Sequence, residues 1–306
     1  MLDRQGPSVR RRRLAGQLRS LRERAGLTGD EVAQQVGWSA SKLSRMETAH
    51  VGIRVKDLLI LLDLYAVPDS KRAALVTLAR TARQRGWWDM YDSIPTEYAT
   101  YISLEAAASE IRRYDQTLVH GLLQTENYAR AIIESGLMSL VPRQEVERRV
   151  EIRLTRQELL RRATPVELRI VLDEAALRRV VGGPSVMREQ CEYLLAAAER
   201  SNVAIQLLPN EVGAHPGAVG AFSILGFPGS GEADVVYVET MASSLYIEDD
   251  SDIHRYCMAF DRLRTMALGS DESLDMIGRI ADSYDSDETR TGNEARVTGR
   301  ITAHLA

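Results

Sequence analysis

The sequence is short of several things, and each shortage removes a class of protein. Two cysteines, Cys191 and Cys257, occur in 306 residues. They are too few for a disulfide framework and lie in neither a CxxC nor a Cys/His metal spacing. Aromatic residues make up only 6%, yet 44% apolar and 27% charged residues are proportions of a folded chain rather than a disordered one. Long hydrophobic runs are missing too. The most apolar stretch, Leu58–Val67, is interrupted by Asp63 and reaches half the length a bilayer demands. The basic start, Arg10 to Arg13, is followed by Gln17, Arg19 and Arg22 where an export signal would carry its apolar region. A reducing cytoplasm is therefore the expected compartment, with no membrane contact. The five histidines, His50, His120, His215, His254 and His304, are scattered, and there is no GxSxG elbow, P-loop or dinucleotide fingerprint. No metal or cofactor is expected.

Charge is present in quantity, and it is divided. The net of −4 conceals a segment from Met1 to Arg85 with 17 Arg and Lys against 8 Asp and Glu, and a remainder with 22 against 35. The basic residues are nearly all Arg, since lysine occurs only at 42, 56 and 71. A basic first segment on an acidic body suggests that one end meets a polyanion while the other does something else.

The first eighty-five residues carry helical periodicity with clear punctuation. Leu14, Leu18, Leu21 and Ala25 form one stripe of a helix ended by Gly26. Thr28 with Glu31 makes a capping box for a second helix, with Val32, Ala33 and Val36 as its inner face and Gly37 at its end. Ser39 can cap a third, in which Leu43 and Met46 point inward and Ala40, Ser41, Ser44 and Arg45 outward. Val55, Leu58, Leu59, Leu62 and Tyr65 give a fourth stripe, stopped by Pro68, and a fifth helix is expected from Ser70 to Arg85. Two helices joined by a tight Gly-containing turn, the second presenting small and basic side chains, suit a DNA major groove.

The stretch LTGDEVAQQVGWSASKLSRME, Leu27 to Glu47, closely resembles the XRE-type, lambda-repressor-like helix-turn-helix family, over roughly Arg10 to Ala82. The resemblance implies that Ser39–Thr48 is the recognition helix. Ser39, Ala40, Ser41, Ser44 and Arg45 would then face base edges, Lys42 would meet phosphate, Thr28 would be a further DNA-binding residue, and Arg22 would pair structurally with Glu47. Arg45 is the best candidate for a bidentate contact to guanine. The sequence departs from the family at Gly29, where a DNA-contacting Gln is common, and at Thr48 and Ala49, where Asn or Arg followed by Gly is usual.

The pattern breaks at Arg85–Asp89 and Pro95, which places a boundary there; Trp87 and Trp88 read as linker anchors. The reading is a helix-turn-helix domain over 1–86, a regulatory domain over 87–284 and a disordered tail over 285–306. Helices are expected over Ser103–Arg113, Thr125–Ser135, Arg143–Arg162 and Val186–Arg200, and two more close the domain, one through Ile253–Ala267 and one through Leu274–Tyr284. Val166–Leu172, Val203–Leu208, Ala221–Phe227 and Val235–Glu239 read as strands. The fold class is α+β, an all-α five-helix domain followed by a larger domain with a small mixed or antiparallel sheet. GLLQTENYARA (121–131), VLDEAALRRVVGGPSVMREQ (171–190), AHPGAVGAFSILGFP (214–228) and DVVYVE (234–239) look like the C-terminal domain of many actinobacterial XRE-type regulators. His120 stands where those proteins usually have Pro. The resemblance implies a transcription regulator without enzymatic activity, often encoded beside a very small partner in a toxin-antitoxin-like arrangement.

Three functions therefore stand side by side. The favoured one is a cytoplasmic, sequence-specific regulator, expected to be a repressor and a homodimer on a pseudo-palindromic operator in double-stranded DNA, with a small acidic partner protein encoded nearby. A second is an antitoxin-like protein acting through protein contacts, or a ligand sensor whose pocket is lined by Tyr237, Tyr246 and the residues around Phe222. The third is an enzyme using Asp173, Glu174, Glu239, His215, Arg178 or Arg179. Against it, Asp173 and Glu174 read as a helix N-terminus near Ala175, and Gly213, Gly217 and Gly220 beside Pro216 as a loop.

Overall fold

The computed structural model describes residues 9–81, 94, 96–137, 140–228, 234–241 and 243–284. The linker residues Arg85–Asp89 and Pro95 and the tail 285–306 lie outside them. By its contacts the chain divides into two compact units, with Ala107 in the first and Ala108 in the second.

The first unit holds α1 (Val9–Arg24), α2 (Gly29–Gln35), α3 (Ala40–Glu47), α4 (Val55–Leu64), α5 (Asp69–Thr81) and α6 (Thr96–Ala107). Its punctuation is local chemistry. Gly26 and Gly37 take φ of 72° and 67°, ending α1 and α2 in the left-handed region that a side chain disfavours. The Thr28 hydroxyl accepts from the Glu31 N–H while the Glu31 carboxylate accepts from the Thr28 N–H, so both halves of the capping box form. The Ser39 hydroxyl accepts from the Lys42 N–H and starts α3. Leu14, Leu18, Val32, Leu43, Met46, Leu58, Leu62 and Tyr65 meet in one core. Two expected stripe positions differ. Leu61 is fully buried while Leu59 is 40% exposed, because α4 turns its 58/61/62/65 edge inward, and Ala25, one residue before the terminating glycine, is exposed.

The second unit is built on a six-stranded sheet. Its strands are β1 (Glu110–Asp115), β2 (Glu167–Asp173), β3 (Val203–Leu208), β4 (Phe222–Gly226), β5 (Val235–Glu239) and β6 (Ser244–Ile247), in the order β3-β2-β1-β4-β5-β6. β1, β2 and β3 run parallel, and β4, β5 and β6 continue antiparallel from β1. The sheet is thus mixed, and the fold class is α+β as expected. The parallel crossovers are α7 (Glu126–Gly136) with α8 (Arg143–Arg156), and α9 (Glu174–Arg178) with α10 (Pro184–Ala198). α11 (Asp250–Met266) and α12 (270–284) close the unit. α11 seats Ile253, Phe260 and Leu263 against Tyr114, Val171, Phe222, Ile224 and Val236 on one face of the sheet.

Two strands correct the sequence reading. The helix expected over Ser103–Arg113 stops at Ala107, and its second half is β1 at the centre of the sheet. Arg113 disguises it. On a central strand this side chain bonds Asp115 and Ser223, 2.8 and 2.7 Å away, instead of reaching solvent. β6, a four-residue edge strand, was not anticipated.

The GLLQT stretch, Gly121 to Thr125, is a hydrogen-bonded junction. Gln190 accepts from the Thr125 N–H at 2.8 Å and donates to the Leu123 carbonyl at 2.6 Å. Gln157 donates to the Gln124 carbonyl at 2.7 Å, and Gln124 donates to the Val119 carbonyl at 2.7 Å. These buried amides satisfy backbone groups that a turn leaves open.

Candidate nucleic-acid interface

The site is the outer side of α3 with the start of α2. Leu43 and Met46 are buried at 1% and 3% exposure, which anchors α3 on the core and fixes its rotation. Ala40, Ser41, Ser44 and Arg45 are consequently exposed together, as the spacing predicted, with Ser39 and Thr48 exposed at the two ends. The Arg45 Nε donates to the Ser41 carbonyl at 3.3 Å, one turn back along the helix. The guanidinium lies along the exposed face, where a base edge could exchange for that carbonyl.

Two carboxylates close to this face, Glu47 and Asp57, are committed elsewhere. Glu47 accepts from Arg22 at 2.8 and 3.1 Å, a fork-to-fork pair, and Arg22 also donates to the Leu27 carbonyl at 2.8 Å. These bonds raise the pKa of Arg22, first of all through Glu47. The expected structural pair is therefore formed, tying α1 to the end of α3. Asp57, at the start of α4, takes Lys42 at 3.3 Å. The same ammonium lies 3.6 Å from the centre of the Trp38 ring. Lys42, expected at a phosphate, is thus held between an aspartate and an indole, and a backbone contact would need it to leave both.

Thr28 is similarly occupied. Its N–H and hydroxyl both donate to Glu31, at 2.7 and 2.8 Å. These bonds, the backbone one first, hold the Glu31 carboxyl below the usual carboxylate range. The N-terminus of α2 is filled by the protein's own anion. The start of α4 also has an acid in its first turn, Asp57, but that carboxylate is bound by Lys42, Arg54 precedes the helix without a side-chain cap, and Arg54 and Lys56 are exposed. Sequence reasoning passed over this basic pair. Its signal was two cations flanking a helix start, the geometry in which amide N–H groups and charge both favour an anion.

The pocket candidates of the second unit do not converge as a sensor would require, whereas Asp173, Glu174, Arg178 and His215 are brought together at the end of β2. Tyr237 pairs with Ser223 across the sheet, so it lies on the face opposite Phe222, and the two cannot line one pocket. Tyr237 rests on Tyr246, with ring centres 5.2 Å apart. Asp173 is the N-cap of α9, accepting from the Ala175 N–H at 2.9 Å, and also accepts from the Tyr114 hydroxyl at 3.1 Å. His215 Nε2 stands 3.8 Å from Asp173. Glu174 holds Arg178 at 2.9 Å and the Asn210 N–H at 3.0 Å, while Glu239 ends β5 and is exposed. Among the described residues no group of His, Cys, Asp and Glu could hold a metal, and no helix is long and apolar enough to cross a membrane.

Five short helices with an exposed, carboxylate-poor α3 define a helix-turn-helix DNA-binding regulator, and residues 13–75 match the helix-turn-helix domain family. The chain belongs to the family described as domain of unknown function DUF5753, which spans residues 98–279. No curated protein and no solved structure matches it.

Proposed function

We propose that the protein is an XRE-type, lambda-repressor-like repressor that binds a pseudo-palindromic operator as a homodimer in the cytoplasm, its second unit serving dimerisation and partner binding rather than catalysis. The observation that carries this is the outer face of α3, where short side chains and Arg45 are exposed while Glu47 and Asp57 are each held by a cation. Two such faces would read half-sites about 34 Å apart. Arg54 and Lys56 would grip phosphate, in place of the sequestered Thr28 and Lys42. A small acidic partner encoded nearby would dock on the second unit.

Operator selection followed by binding measurements with Arg45→Ala tests the reading. Loss of one base contact lowers operator affinity by about 1–3 kcal/mol and spares random-sequence DNA. Equal loss on both DNAs removes Arg45 from base reading. An affinity that does not fall as salt rises would defeat DNA binding altogether.

A further inference from the structure

The groove between α1, the start of α2 and α3 has a volume of about 390 Å³ and is lined by Arg19, Arg22, Asp30, Ser41, Ser44 and Glu47, among others. Its charges cancel in pairs, with one exception. Arg22 is committed to Glu47 and Arg19 to Glu23, whereas no cation among the described residues stands within ion-pair distance of Asp30. The Asp30 carboxylate is exposed at the groove mouth. Beside it Gly29 contributes no side chain, and a methyl built there would find its nearest neighbour, the Leu43 Cδ2, 3.9 Å away. Ser41 and Ser44 of α3 line the same groove.

We propose that Asp30 reads a base, selecting cytosine in the operator half-site by accepting a hydrogen bond from its exocyclic amine. This rests on the DNA-binding reading above. A carboxylate has acceptors only. In the major groove it is matched by the cytosine N4 amine and mismatched by guanine O6 and N7, which are acceptors themselves. The hydroxyls of Ser41 and Ser44 both donate and accept, so they tolerate either edge, and discrimination at this groove falls to Asp30. Arg45 carries the complementary preference for guanine further along α3.

The test is selection from a randomised duplex library with the full chain, comparing wild type, Asp30→Asn and Asp30→Ala, with circular dichroism showing that all three fold. Wild type should enrich cytosine at one position of each half-site about tenfold. Asp30→Ala should lose that preference and keep all the others, and Asp30→Asn should shift it toward adenine, whose N6 and N7 an amide can bridge. Base preferences unchanged in both variants, with binding merely tighter at low salt, would overturn the proposal and leave Asp30 as a carboxylate that repels phosphate. A wild type that enriches no sequence would take the DNA-binding reading down with it, a result distinct from unchanged preferences.

Discussion

The two units solve the problem of an interior differently. Among its described residues the first unit buries two charges, Asp57, which lies under Lys42, and Glu105 of α6. The sheet unit instead buries Asp115, His120, Arg156, Asp173 and Glu174, with the amides of Gln124, Gln157 and Gln190 among them. The contrast is one of tolerance. An apolar core accepts substitutions of similar volume at small cost. A polar interior is held by partners at fixed distances, and removing one leaves another desolvated. The helical unit should therefore absorb small changes of shape and acidity that the sheet unit cannot.

The largest expected effect is at Gly217, in the loop between β3 and β4. A Cβ built there would lie 2.3 Å from the Tyr114 ring, which is fully buried between Phe222 and His215. Gly217→Ala should cost about 3 kcal/mol by overpacking. The same change at Gly29, where the space is open, should cost less than about 0.5 kcal/mol. Urea unfolding followed by circular dichroism measures both, and equal losses would erase the contrast.

Acidity should separate the units next. Burial, with Arg113, Arg156 and Arg153 nearby, pushes the His120 imidazole well below its usual pKa. The unfolded chain then binds a proton that the folded one refuses. The stability that His120 contributes is complete above about pH 6.5, and below it drains by up to about 1.4 kcal/mol per pH unit. His120 has φ −59° and ψ 141°, which suit proline. His120→Pro should flatten the loss seen in thermal melts between pH 7.5 and 5.5, and an unchanged slope would place the acid sensitivity elsewhere.

The smallest effect belongs to the helical unit. Ala66 and Ala49 hold φ of 52° and 59°, which an L side chain disfavours. Ala66 is exposed, so Ala66→Gly should relieve about 1–2 kcal/mol of strain and give back about 0.4–1 through added freedom of the unfolded chain, a net gain of about 0.5 kcal/mol. Ala49 is 2% exposed. Glycine there would also forfeit a buried methyl, about 0.8 kcal/mol, and should change little. A melting temperature that rises more for Ala49→Gly than for Ala66→Gly would contradict this.

The same contrast explains what could be read from the chain. In the first unit, inward positions are apolar, outward ones polar, and turns carry Gly, Thr or Ser, so Thr28, Ser39, Leu43 and Met46 announced the motif and its exposed face. The pairing of Arg22 with Glu47 rested on family likeness and formed. What escaped was tertiary. That Lys42 turns to Asp57 and Trp38 depends on residues four places before and fifteen after it, on other segments. In the second unit four strands were legible because their inner residues alternate or run apolar. β1 was not, since Arg113 and Asp115 satisfy one another inside and present the composition of a surface helix. Tyr237 and Phe222 were grouped as pocket residues because pleat parity needs the register, which only strand pairing supplies.

β1 also sets a timetable. Its partner β4 is more than a hundred residues further along, with Arg112 opposite Ile224, whereas α1–α5 all lie within Val9–Thr81. A ribosome adding about 5–20 residues per second will have released a finished helix-turn-helix several seconds before the strand that completes the middle of the sheet exists. Through that interval the nascent chain holds a folded DNA-reading head and an open β1 edge, the stage at which it is most exposed to mispairing and most dependent on chaperones.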